Sequence, residues 1–375
     1  MTPILPGATF GMLGGGQLGR YALIAARTMG YRTAVLDPDP LAPAKAVADL
    51  RFDAEFGDES ALGELATAAD VVTIEFENPP AAALESLARR TQVAPAPVAV
   101  AIAQDRIHEK QFLVESGFPV APYAVVDAAE ADPALTYPAI LKTARLGYDG
   151  KGQRTVDDGS AMRAAWRVLG SVPCVLEQAL ELETEVSVVV ARTAAGHVTA
   201  FPVAENAHVD GILDLTVVPA AVSRRVADRA VGVAMAIADA LDYVGVLAVE
   251  MFVVDGDLVV NELAPRPHNS GHWTLDVAQT SQFAQQVRAV CGLGLGDTTM
   301  TRPAAAMVNL LGDLWSAHTP DWQPVLELPN VALHLYGKSA PRPARKMGHL
   351  TTWARSPLEA VTLALRARSM LTTTG

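Results

Sequence analysis

The sequence predicts a chain of mixed α/β and α+β class, and three features lead to that prediction. Near the N-terminus, a glycine-rich turn joins an apolar run to a helical pattern, as in a Rossmann-like βα unit. In the middle, two apolar runs flank an Asp-Gly turn, as in a β-hairpin. Short β-rich segments follow. A length of 375 residues is too long for a single typical core and suggests two or three domains.

The composition excludes several classes of partner. The formal net charge is -12, so no basic surface is expected for nucleic acid or for an anionic membrane. Cys174 and Cys291 lie far apart in apolar contexts, which indicates two reduced thiols rather than a disulfide or a zinc site. Residues 1–10 lack a basic targeting segment and acidic residues interrupt the long apolar stretches, so we expect a cytoplasmic protein without membrane spans.

The first element is the glycine-rich turn Gly14–Gly19. It follows the apolar run Ala8–Leu13, precedes a helix expected over Leu18–Met29, and is followed by a strand ending at Asp37. This G-x-G-x-x-G pattern predicts a dinucleotide site, and a nicotinamide-dependent dehydrogenase is therefore one hypothesis. The alternatives are a site for any phosphate at the helix N-terminus, or a tight turn alone.

Glu75 comes directly after the next clear strand, expected over Val71–Ile74. The carboxyl ends of parallel strands are where open α/β sheets bind ligands, so Glu75 is a candidate substrate-site residue. The alternative is an acid that caps the helix near Pro80. A domain boundary is expected at Ala94–Pro97, where prolines interrupt the pattern.

The central region begins with a helix from Gln104 to Gly117, whose Arg106 and Lys110 would by themselves be solvated charges. A strand over Ala139–Thr143 presents Lys142 and leads into Gly147–Gln153. The glycines of this segment would let its backbone N–H groups fold over a polyphosphate, although it is no Walker A loop. A mobile hairpin tip is the alternative.

Two further strands suggest a nucleoside pocket. A strand over Cys174–Gln178 bends through Glu177–Leu180 into a strand over Thr184–Arg192 that carries Glu185. An apolar crossover of this kind is a plausible adenine slot, and a carboxylate beside it can accept ribose hydroxyl groups. His208 follows on a later strand, where an isolated histidine is more often structural.

The hairpin within Val246–His272 is the most informative stretch. Each apolar run carries one carboxylate, Glu250 or Glu262, and a buried carboxylate without a partner is costly. A two-residue loop would place Glu250 opposite Asn261, whereas a three-residue loop, Asp255–Asp257, would place it opposite Glu262. We expect the three-residue loop, because paired carboxylates suit Mg²⁺ bound jointly with phosphate. The alternative is a buried hairpin with salt-bridged glutamates.

Two further groups of polar side chains follow the hairpin in sequence. Directly after the hairpin come Arg266, His268, Asn269, Ser270 and His272. A basic group near the C-terminus could clamp a phosphate monoester, because guanidinium groups match phosphate oxygens. It comprises Lys338, Arg342, Arg345, Lys346 and His349. A solvated basic turn is the alternative.

Taken together and in order, six motifs give the chain a specific resemblance. They are GGGQLGR at Gly14–Arg20, FEN at Phe76–Asn78, QDR at Gln104–Arg106, GYDGKGQ at Gly147–Gln153, NELAPRPHNSGH at Asn261–His272, and YGK with RKMGH at Tyr336–Lys338 and Arg345–His349. The chain resembles the ATP-grasp superfamily and, within it, the 5-(carboxyamino)imidazole ribonucleotide synthetases of purine biosynthesis. That resemblance covers essentially the whole chain.

The resemblance implies an ATP-grasp fold with three domains. They are an N-terminal Rossmann-like domain over 1–100, an ATP-grasp domain over 101–300 with a lid at about 122–185, and a small β-rich C-terminal domain over 301–375. It implies a ligase that carboxylates aminoimidazole ribonucleotide with bicarbonate and ATP, uses Mg²⁺ or Mn²⁺, and forms a homodimer. In this family the glycine turn does not indicate NAD. Another ATP-grasp ligase of purine metabolism, a relative of biotin carboxylase and a non-catalytic nucleotide-binding protein are the remaining alternatives.

The resemblance also implies residue roles. For ATP they are Arg106, Lys142, Gly147, Tyr148, Asp149, Gly150, Lys151, Gly152, Gln153, Glu177, Gln178, Ala179, Leu180, Glu185, His208, Asn261 and Glu262. For the ribonucleotide they are Gly16, Gln17, Leu18, Glu75, Tyr148, Asp149, Lys338 and Arg345. Catalysis would involve Glu75, Tyr148, Asp149, Arg266 and Asn269, and the metal would be held by Glu250 and Glu262.

Overall fold

The computed structural model describes residues 2–128, 134–147, 150–316 and 318–371. Its first part is a parallel sheet in the order β3-β2-β1-β4-β5 with helices on its faces, as expected for a Rossmann-like unit. The elements are β1 (Thr9–Leu13), α1 (Gln17–Thr28), β2 (Arg32–Leu36), β3 (Leu50–Phe52), α2 (Glu59–Ala68), β4 (Val71–Ile74), α3 (Ala81–Ala88) and β5 (Gln92–Val93). Strands β1 and β4 are buried along their whole length, so they read as continuous apolar runs.

A small antiparallel sheet follows, in the order β6-β9-β7-β8. Before it, Asp105 caps α5 by accepting a hydrogen bond from the Ile107 N–H at 3.0 Å. The elements are α4 (Pro97–Ala103), α5 (Arg106–Glu115), β6 (Tyr123–Val126), β7 (Ala139–Thr143), β8 (Gln153–Val156), α6 (Gly159–Val168) and β9 (Cys174–Gln178). The glycine-rich segment expected at Gly147–Gln153 thus joins β7 to β8.

The largest sheet is antiparallel, in the order β15-β14-β10-β12-β13-β16-β18-β17, with β11 paired to β10. Its strands are β10 (Thr184–Arg192), β11 (Val198–Ala200), β12 (Ala204–Val209), β13 (Ile212–Val218), β14 (Gly245–Val254), β15 (Asp257–Ala264), β16 (Ala304–Leu311), β17 (Val331–Leu335) and β18 (Lys346–Ala354). The helices of this region are α7 (Arg224–Ala240), α8 (Thr274–Val277), α9 (Gln282–Val290), α10 (Gln323–Leu326) and α11 (Pro357–Met370). The last strands of the chain therefore continue the central sheet.

The N-terminal sheet is packed onto the central region through one apolar cluster. Phe10 and Tyr21 from the first part of the chain meet Phe283 and Val287 of α9, together with Tyr336 beyond β17. All five side chains are at most 8% exposed. Burial of large apolar and aromatic side chains is the main stabilising term in such contacts, so this cluster holds the two sheets at the sides of one cleft.

The hairpin of β14 and β15 differs from expectation in its loop. Val254 pairs with Asp257, so the loop contains Asp255 and Gly256 alone. Their φ angles of 50° and 71° suit a type I′ turn. A β-bulge then leaves Asn261 unpaired and places Glu250 opposite Glu262. The expected pairing of the carboxylates is confirmed, but the three-residue loop is wrong, because the bulge supplies the extra residue.

Within the described residues, no helix is both long and apolar enough to cross a membrane.

Candidate active site

A cavity of about 740 Å³ opens where the three sheets meet. Its wall includes many residues predicted for the site: Gln17, Leu18, Glu75, Arg106, Gly147, Lys151, His208, Glu250, Glu262, Arg266, Asn269, Lys338 and Arg345. Among the described residues, the predicted ones outside this wall are Gly16, Lys142, Gly150, Gly152, Gln153, Glu177, Gln178, Ala179, Leu180, Glu185 and Asn261. Tyr148 and Asp149 lie outside the described residues.

The glycine turn of the N-terminal sheet is shaped to hold Glu75. A Cβ atom at Gly16 would lie 2.1 Å from Glu75 Oε1, so only glycine admits this approach. Asp37, the acid that a dinucleotide site would place on ribose, accepts hydrogen bonds from the N–H groups of Gly15 at 2.7 Å and Asp39 at 2.8 Å. Both of its oxygens are therefore engaged, which disfavours the dehydrogenase hypothesis.

Glu75 and Glu77 approach the cavity from the end of β4. Burial raises the pKa of Glu75, against the nearby charge of Arg266. Arg266 Nε donates a hydrogen bond to Glu77 Oε2 at 2.5 Å, and this pairing lowers the pKa of Glu77 in spite of its burial. Glu77 was missed as a site residue by the sequence reasoning, although it belongs to the FEN motif and lies two residues beyond Glu75.

The paired carboxylates of the central hairpin have different partners. Arg106 Nη1 donates to Glu262 Oε2 at 2.8 Å, whereas His268 Nε2 lies 3.1 Å from Glu250 Oε1. Burial opposes ionisation of both acids, but Arg106 lowers the pKa of Glu262, while burial and the charge of Glu262 raise that of Glu250. Two adjacent oxygen donors with unrelieved repulsion fit a hard divalent cation.

Two buried lysines surround Glu177. Its Oε2 lies 3.1 Å from Lys142 Nζ and 3.5 Å from Lys110 Nζ. Lys110 is 1% exposed and donates to the Asn261 carbonyl oxygen at 2.9 Å, so the expectation of a solvated charge at Lys110 is wrong. The reason is that α5 packs against β15 and β9. The two lysine charges and the Glu177 carboxylate therefore share one buried site. The Glu177 side chain therefore faces the lysines.

Glu185 and His208 form a contact on neighbouring strands of the large sheet. His208 Nδ1 lies 2.7 Å from Glu185 Oε2. Burial lowers the pKa of His208, but the close contact with Glu185 and the charges of Glu250 and Glu185 outweigh it, so the net shift is upward. His208 lines the cavity and is thus more than a packed core residue.

The glycine-rich segment after β7 reaches across the cavity. Gly150 has φ +74°, and a Cβ atom there would lie 2.6 Å from the Asp210 carbonyl oxygen in the turn between β12 and β13. Thr143 Oγ1 would lie 2.6 Å from a Cβ atom at Gly152. The segment therefore needs glycine at position 150, where it touches the turn of the large sheet, and at position 152, where it packs against the end of β7.

The basic group of the last part of the chain is divided by the structure. Lys338, Arg342, Arg345 and Lys346 line the cavity, and Lys338 Nζ donates to the Lys346 carbonyl oxygen at 2.7 Å. His349 does not belong with them. It is fully buried, and its Nδ1 lies 3.0 Å from the Tyr336 hydroxyl, so its expected part in a phosphate clamp is wrong. Side chains alternate along β18, which directs His349 into the interior.

Asn269 lies at the cavity wall, but its amide is held from behind. Asn309 Nδ2 donates to Asn269 Oδ1 at 2.7 Å, and Asn269 Nδ2 donates to Asn309 Oδ1 at 3.1 Å. A reciprocal amide pair of this kind fixes the orientation of both side chains.

Comparison with known domain families accounts for most of the chain. Residues 7–104 match the ribonucleotide synthetase preATP-grasp domain, residues 111–283 the ATP-grasp domain, and residues 305–362 the phosphoribosylaminoimidazole carboxylase C-terminal domain. The chain is 47% identical over 358 residues to an N5-carboxyaminoimidazole ribonucleotide synthase of Brucella melitensis, which covers 93% of this chain and 97% of that protein. The corresponding protein of Bacillus subtilis is 44% identical over 353 residues, covering 93% and 92%.

Solved structures give the same result. The ADP complex of an N5-carboxyaminoimidazole ribonucleotide synthetase matches with a TM-score of 0.93 and 41% identity, over 98% of each chain. The Aspergillus clavatus synthase, in complex with ADP and 5-aminoimidazole ribonucleotide, matches with a TM-score of 0.88 and 30% identity, over 97% of this chain and 98% of that one. The expected ATP-grasp fold is thereby confirmed, and this chain belongs to the N5-carboxyaminoimidazole ribonucleotide synthase family of ATP-grasp enzymes.

Proposed function

We propose that the protein is a ligase that uses ATP to carboxylate the exocyclic amine of 5-aminoimidazole ribonucleotide with bicarbonate, as a step of purine biosynthesis. The observation that carries this proposal is one continuous cleft, in which a paired-glutamate hairpin, a glycine-rich cover and a cationic rim meet. The Aspergillus clavatus relative supports it, because it was solved with ADP and 5-aminoimidazole ribonucleotide together.

The proposed reaction has two stages, phosphorylation of bicarbonate and carboxylation of the amine. An oxygen of bicarbonate attacks the γ-phosphorus of ATP, the bond to the β-phosphate oxygen breaks, and ADP leaves with carboxyphosphate as the product. Carboxyphosphate breaks down to carbon dioxide and phosphate, and the amine nitrogen then forms a bond to that carbon and loses a proton. Phosphoryl transfer of this kind depends on positioning and on charge neutralisation rather than on covalent help from the protein.

ATP would be bound by residues on both sides of the cleft. Arg106 and Lys142 supply positive charge for phosphate oxygens, and the segment Gly147–Gln153 supplies backbone N–H groups above them. Glu177–Leu180 would hold adenine, Glu185 would accept ribose hydroxyl groups, and His208 and Asn261 would support them. Arg106 pairs with Glu262 at 2.8 Å, so the arrival of phosphate gives this guanidinium a second anionic partner.

Glu250 and Glu262 would hold Mg²⁺, or Mn²⁺, and the metal when bound would neutralise charge on the transferring phosphate. Their opposite placement across β14 and β15 supports this assignment.

The ribonucleotide would lie against the N-terminal sheet. Lys338 and Arg345 would bind its phosphate, and Gly16, Gln17, Leu18 and Glu75 would line its base and ribose. Glu75 would accept the amine proton, because its raised pKa makes it a stronger base than an ordinary carboxylate. Tyr148 and Asp149 would complete this side.

Arg266 and Asn269 would face the bicarbonate carbon between the two nucleotides. Glu77 holds the Arg266 guanidinium at 2.5 Å, so the charge is fixed before a substrate arrives. Because carboxyphosphate is unstable in water, the lid at about 122–185 would exclude solvent during the reaction. We further propose three domains at 1–100, 101–300 and 301–375, a homodimer, and a cytoplasmic location.

The test is phosphate release from ATP by the purified enzyme. We expect release that requires both bicarbonate and 5-aminoimidazole ribonucleotide, with incorporation of labelled bicarbonate carbon into an acid-labile product. Release that is equally fast without the ribonucleotide would contradict the proposal. Titration with NADH serves as a control on the dehydrogenase hypothesis, for which saturable binding would be required.

A further inference from the structure

A row of buried polar side chains leads through the large sheet to Glu250. It begins at Thr216 on β13, passes through Asn206 on β12 and Ser187 on β10, and continues through Ser270 and His268 after β15. The successive distances are 3.0 Å from Thr216 Oγ1 to Asn206 Oδ1, 2.9 Å from Asn206 Nδ2 to Ser187 Oγ, 2.8 Å from Ser187 Oγ to Ser270 Oγ, 2.9 Å from Ser270 Oγ to His268 Nδ1, and 3.1 Å from His268 Nε2 to Glu250 Oε1.

One backbone contact shows which nitrogen of the His268 ring carries the proton. The Ser270 N–H donates to His268 Nδ1 at 3.3 Å. A nitrogen that accepts this hydrogen bond carries no proton, so the proton of the neutral ring lies on Nε2. His268 Nε2 therefore donates to the Glu250 carboxylate.

This assignment also shows the direction of every earlier hydrogen bond in the row. Because His268 Nδ1 is an acceptor, the Ser270 hydroxyl donates to it. That hydroxyl then has only acceptor capacity left, so the Ser187 hydroxyl donates to Ser270 Oγ. Ser187 Oγ accepts in turn from Asn206 Nδ2, and Asn206 Oδ1 accepts from Thr216. Each donor in the row points toward Glu250.

Burial makes each hydrogen bond of this row costly to lose. Thr216, Asn206, Ser187 and Ser270 are all at most 6% exposed. Water cannot replace a missing partner at such sites, and an unsatisfied buried donor or acceptor costs roughly 1–3 kcal/mol. Reversing one hydrogen bond would leave two groups of the same kind facing each other, so the direction is a property of the row as a whole.

We propose that Thr216, Asn206, Ser187 and Ser270 are positioning residues that hold His268 in its Nε2–H tautomer and thereby orient Glu250 in the cleft. This inference rests on the proposed function only for its effect on catalysis. Side chains behind a ligand carboxylate generally tune affinity or rate by about 10- to 100-fold, although they touch no substrate.

The first test reads the tautomer directly, without any ligand. Long-range ¹H–¹⁵N correlation spectra of enzyme labelled at the histidine nitrogens distinguish protonated from unprotonated ring nitrogens, and the signals lost in His268→Gln identify His268. We expect an unprotonated Nδ1 and a protonated Nε2 in the wild type. In Ser187→Ala the Ser270 hydroxyl can turn away from Nδ1 and leaves the Ser270 N–H at 3.3 Å as its remaining donor. We therefore expect the His268 shifts to move from the wild-type values toward those of the other tautomer.

The matched control is Ser86→Ala. Ser86 is likewise fully buried and donates one hydrogen bond, to Glu59 Oε2 at 2.7 Å, but it lies on α3 in the N-terminal part. We expect the wild-type His268 spectrum in this variant. For the reaction we expect kcat to fall on the order of 10-fold in Ser187→Ala, with a smaller change in the KM for ATP, and to be unchanged in Ser86→Ala.

A second pair of variants keeps the proposal testable if Ser187→Ala folds poorly. Thr216→Val removes the first hydroxyl at nearly constant shape, and Thr216→Ser restores it. We expect a fall in kcat for the former and near-wild-type kcat for the latter. A proton on His268 Nδ1 in the wild type, or spectra and kcat in Ser187→Ala equal to those of Ser86→Ala, would overturn the proposal. Absence of ligase activity with the expected tautomer would instead count against the proposed function.

Discussion

At the scale of single residues, three cations in or near the cleft are each paired with a carboxylate. Arg106 lies against Glu262 at 2.8 Å, Arg266 against Glu77 at 2.5 Å, and Lys142 against Glu177 at 3.1 Å. In each case a cation suited to phosphate or bicarbonate is already held by a carboxylate. Such pairing keeps a partly buried charge in place without substrate, since an unpaired one would be costly.

The role of Glu262 can be tested by Glu262→Gln. This change removes the charge that faces Arg106 and Glu250 but keeps the shape of the side chain. We expect phosphate release to fall on the order of 100-fold or more and Mn²⁺ binding, followed by electron paramagnetic resonance, to weaken. Circular dichroism should show that the fold is retained.

The control for this prediction is Asp257→Asn on the same hairpin. Asp257 is exposed and lies 2.5 Å from Arg229 Nη1, outside the cavity wall. Exposed ion pairs contribute little to stability, so this variant should keep full activity. Full activity of Glu262→Gln would show that the metal assignment is wrong.

At the scale of elements, two connections determine how the cleft is built. The bulge in β15 adds Asn261 between Val260 and Glu262, and its carbonyl oxygen accepts a hydrogen bond from Lys110. The segment between β7 and β8 reaches the turn between β12 and β13, with Gly150 against Asp210. Each connection brings a polar backbone group to a place where a regular strand would have none.

Gly150→Ala tests the second connection. The new Cβ atom would lie 2.6 Å from the Asp210 carbonyl oxygen at a φ of +74°, so the segment must move away from the opposite sheet. If it covers ATP, we expect the KM for ATP to rise on the order of 10-fold, because the bound conformation then carries strain of about 1–2 kcal/mol. Steady-state phosphate release at varied ATP measures this.

Gly196→Ala is the matched control, in the turn between β10 and β11. Gly196 has a similar φ of +81°, but the nearest atom to an added Cβ is Arg192 Nη2 at 3.9 Å. This variant should lose a similar amount of stability from backbone strain and keep its KM for ATP. An equal rise in KM in both variants would indicate a general effect of strain.

At the scale of the whole molecule, an aromatic cluster joins all three parts of the sequence. Tyr21 of α1 meets His272 after β15 at a ring-centroid distance of 6.0 Å and His334 of β17 at 5.9 Å. The His334 and His349 rings stack at 4.5 Å, and His272 lies 4.9 Å from His349. The packing of the N-terminal part against the rest of the chain therefore buries the imidazole rings of this cluster.

This cluster makes stability depend on pH. Burial lowers the pKa of His272 from 6.5 to about 3 and that of His349 well below 6.5. In the unfolded chain both would take up protons below pH 6.5, whereas the folded chain excludes them. The contribution of these two histidines to the free energy of unfolding is therefore complete above pH 6.5. Below that pH the free energy of unfolding decreases by about 1.4 kcal/mol per pH unit for each histidine, until the pH reaches its folded-state pKa.

We expect the pH dependence of unfolding to become weaker in His272→Asn. Urea unfolding of the wild type and this variant between pH 7.5 and pH 5 measures the difference in slope, so contributions common to both proteins cancel. One of those is Glu109, whose pKa of about 8 acts in the opposite direction. Parallel curves would show that His272 takes up its proton in the folded protein as well.

Several elements of secondary structure were predicted from the sequence alone. Strands β4, β7, β9 and β10 have the bounds that were expected, and a hairpin turns at Asp255 and Gly256, where the Asp-Gly pair predicted a turn. These features follow from local patterns of apolar residues and turns, which act between residues near in the chain. The six motifs also contain Glu262, Lys338, Arg345 and Lys346, which all line the one cavity.

Only the tertiary structure decided which groups meet. Arg266 and Glu77 are 189 residues apart and Arg106 and Glu262 are 156 apart, so no local pattern relates them. The burial of Lys110 and His349 was predicted wrongly for the same reason, because each is enclosed by elements distant in sequence. The sequence determined which chemical groups are present, whereas packing over long separations decided their partners, their burial and the bulge that pairs Glu250 with Glu262.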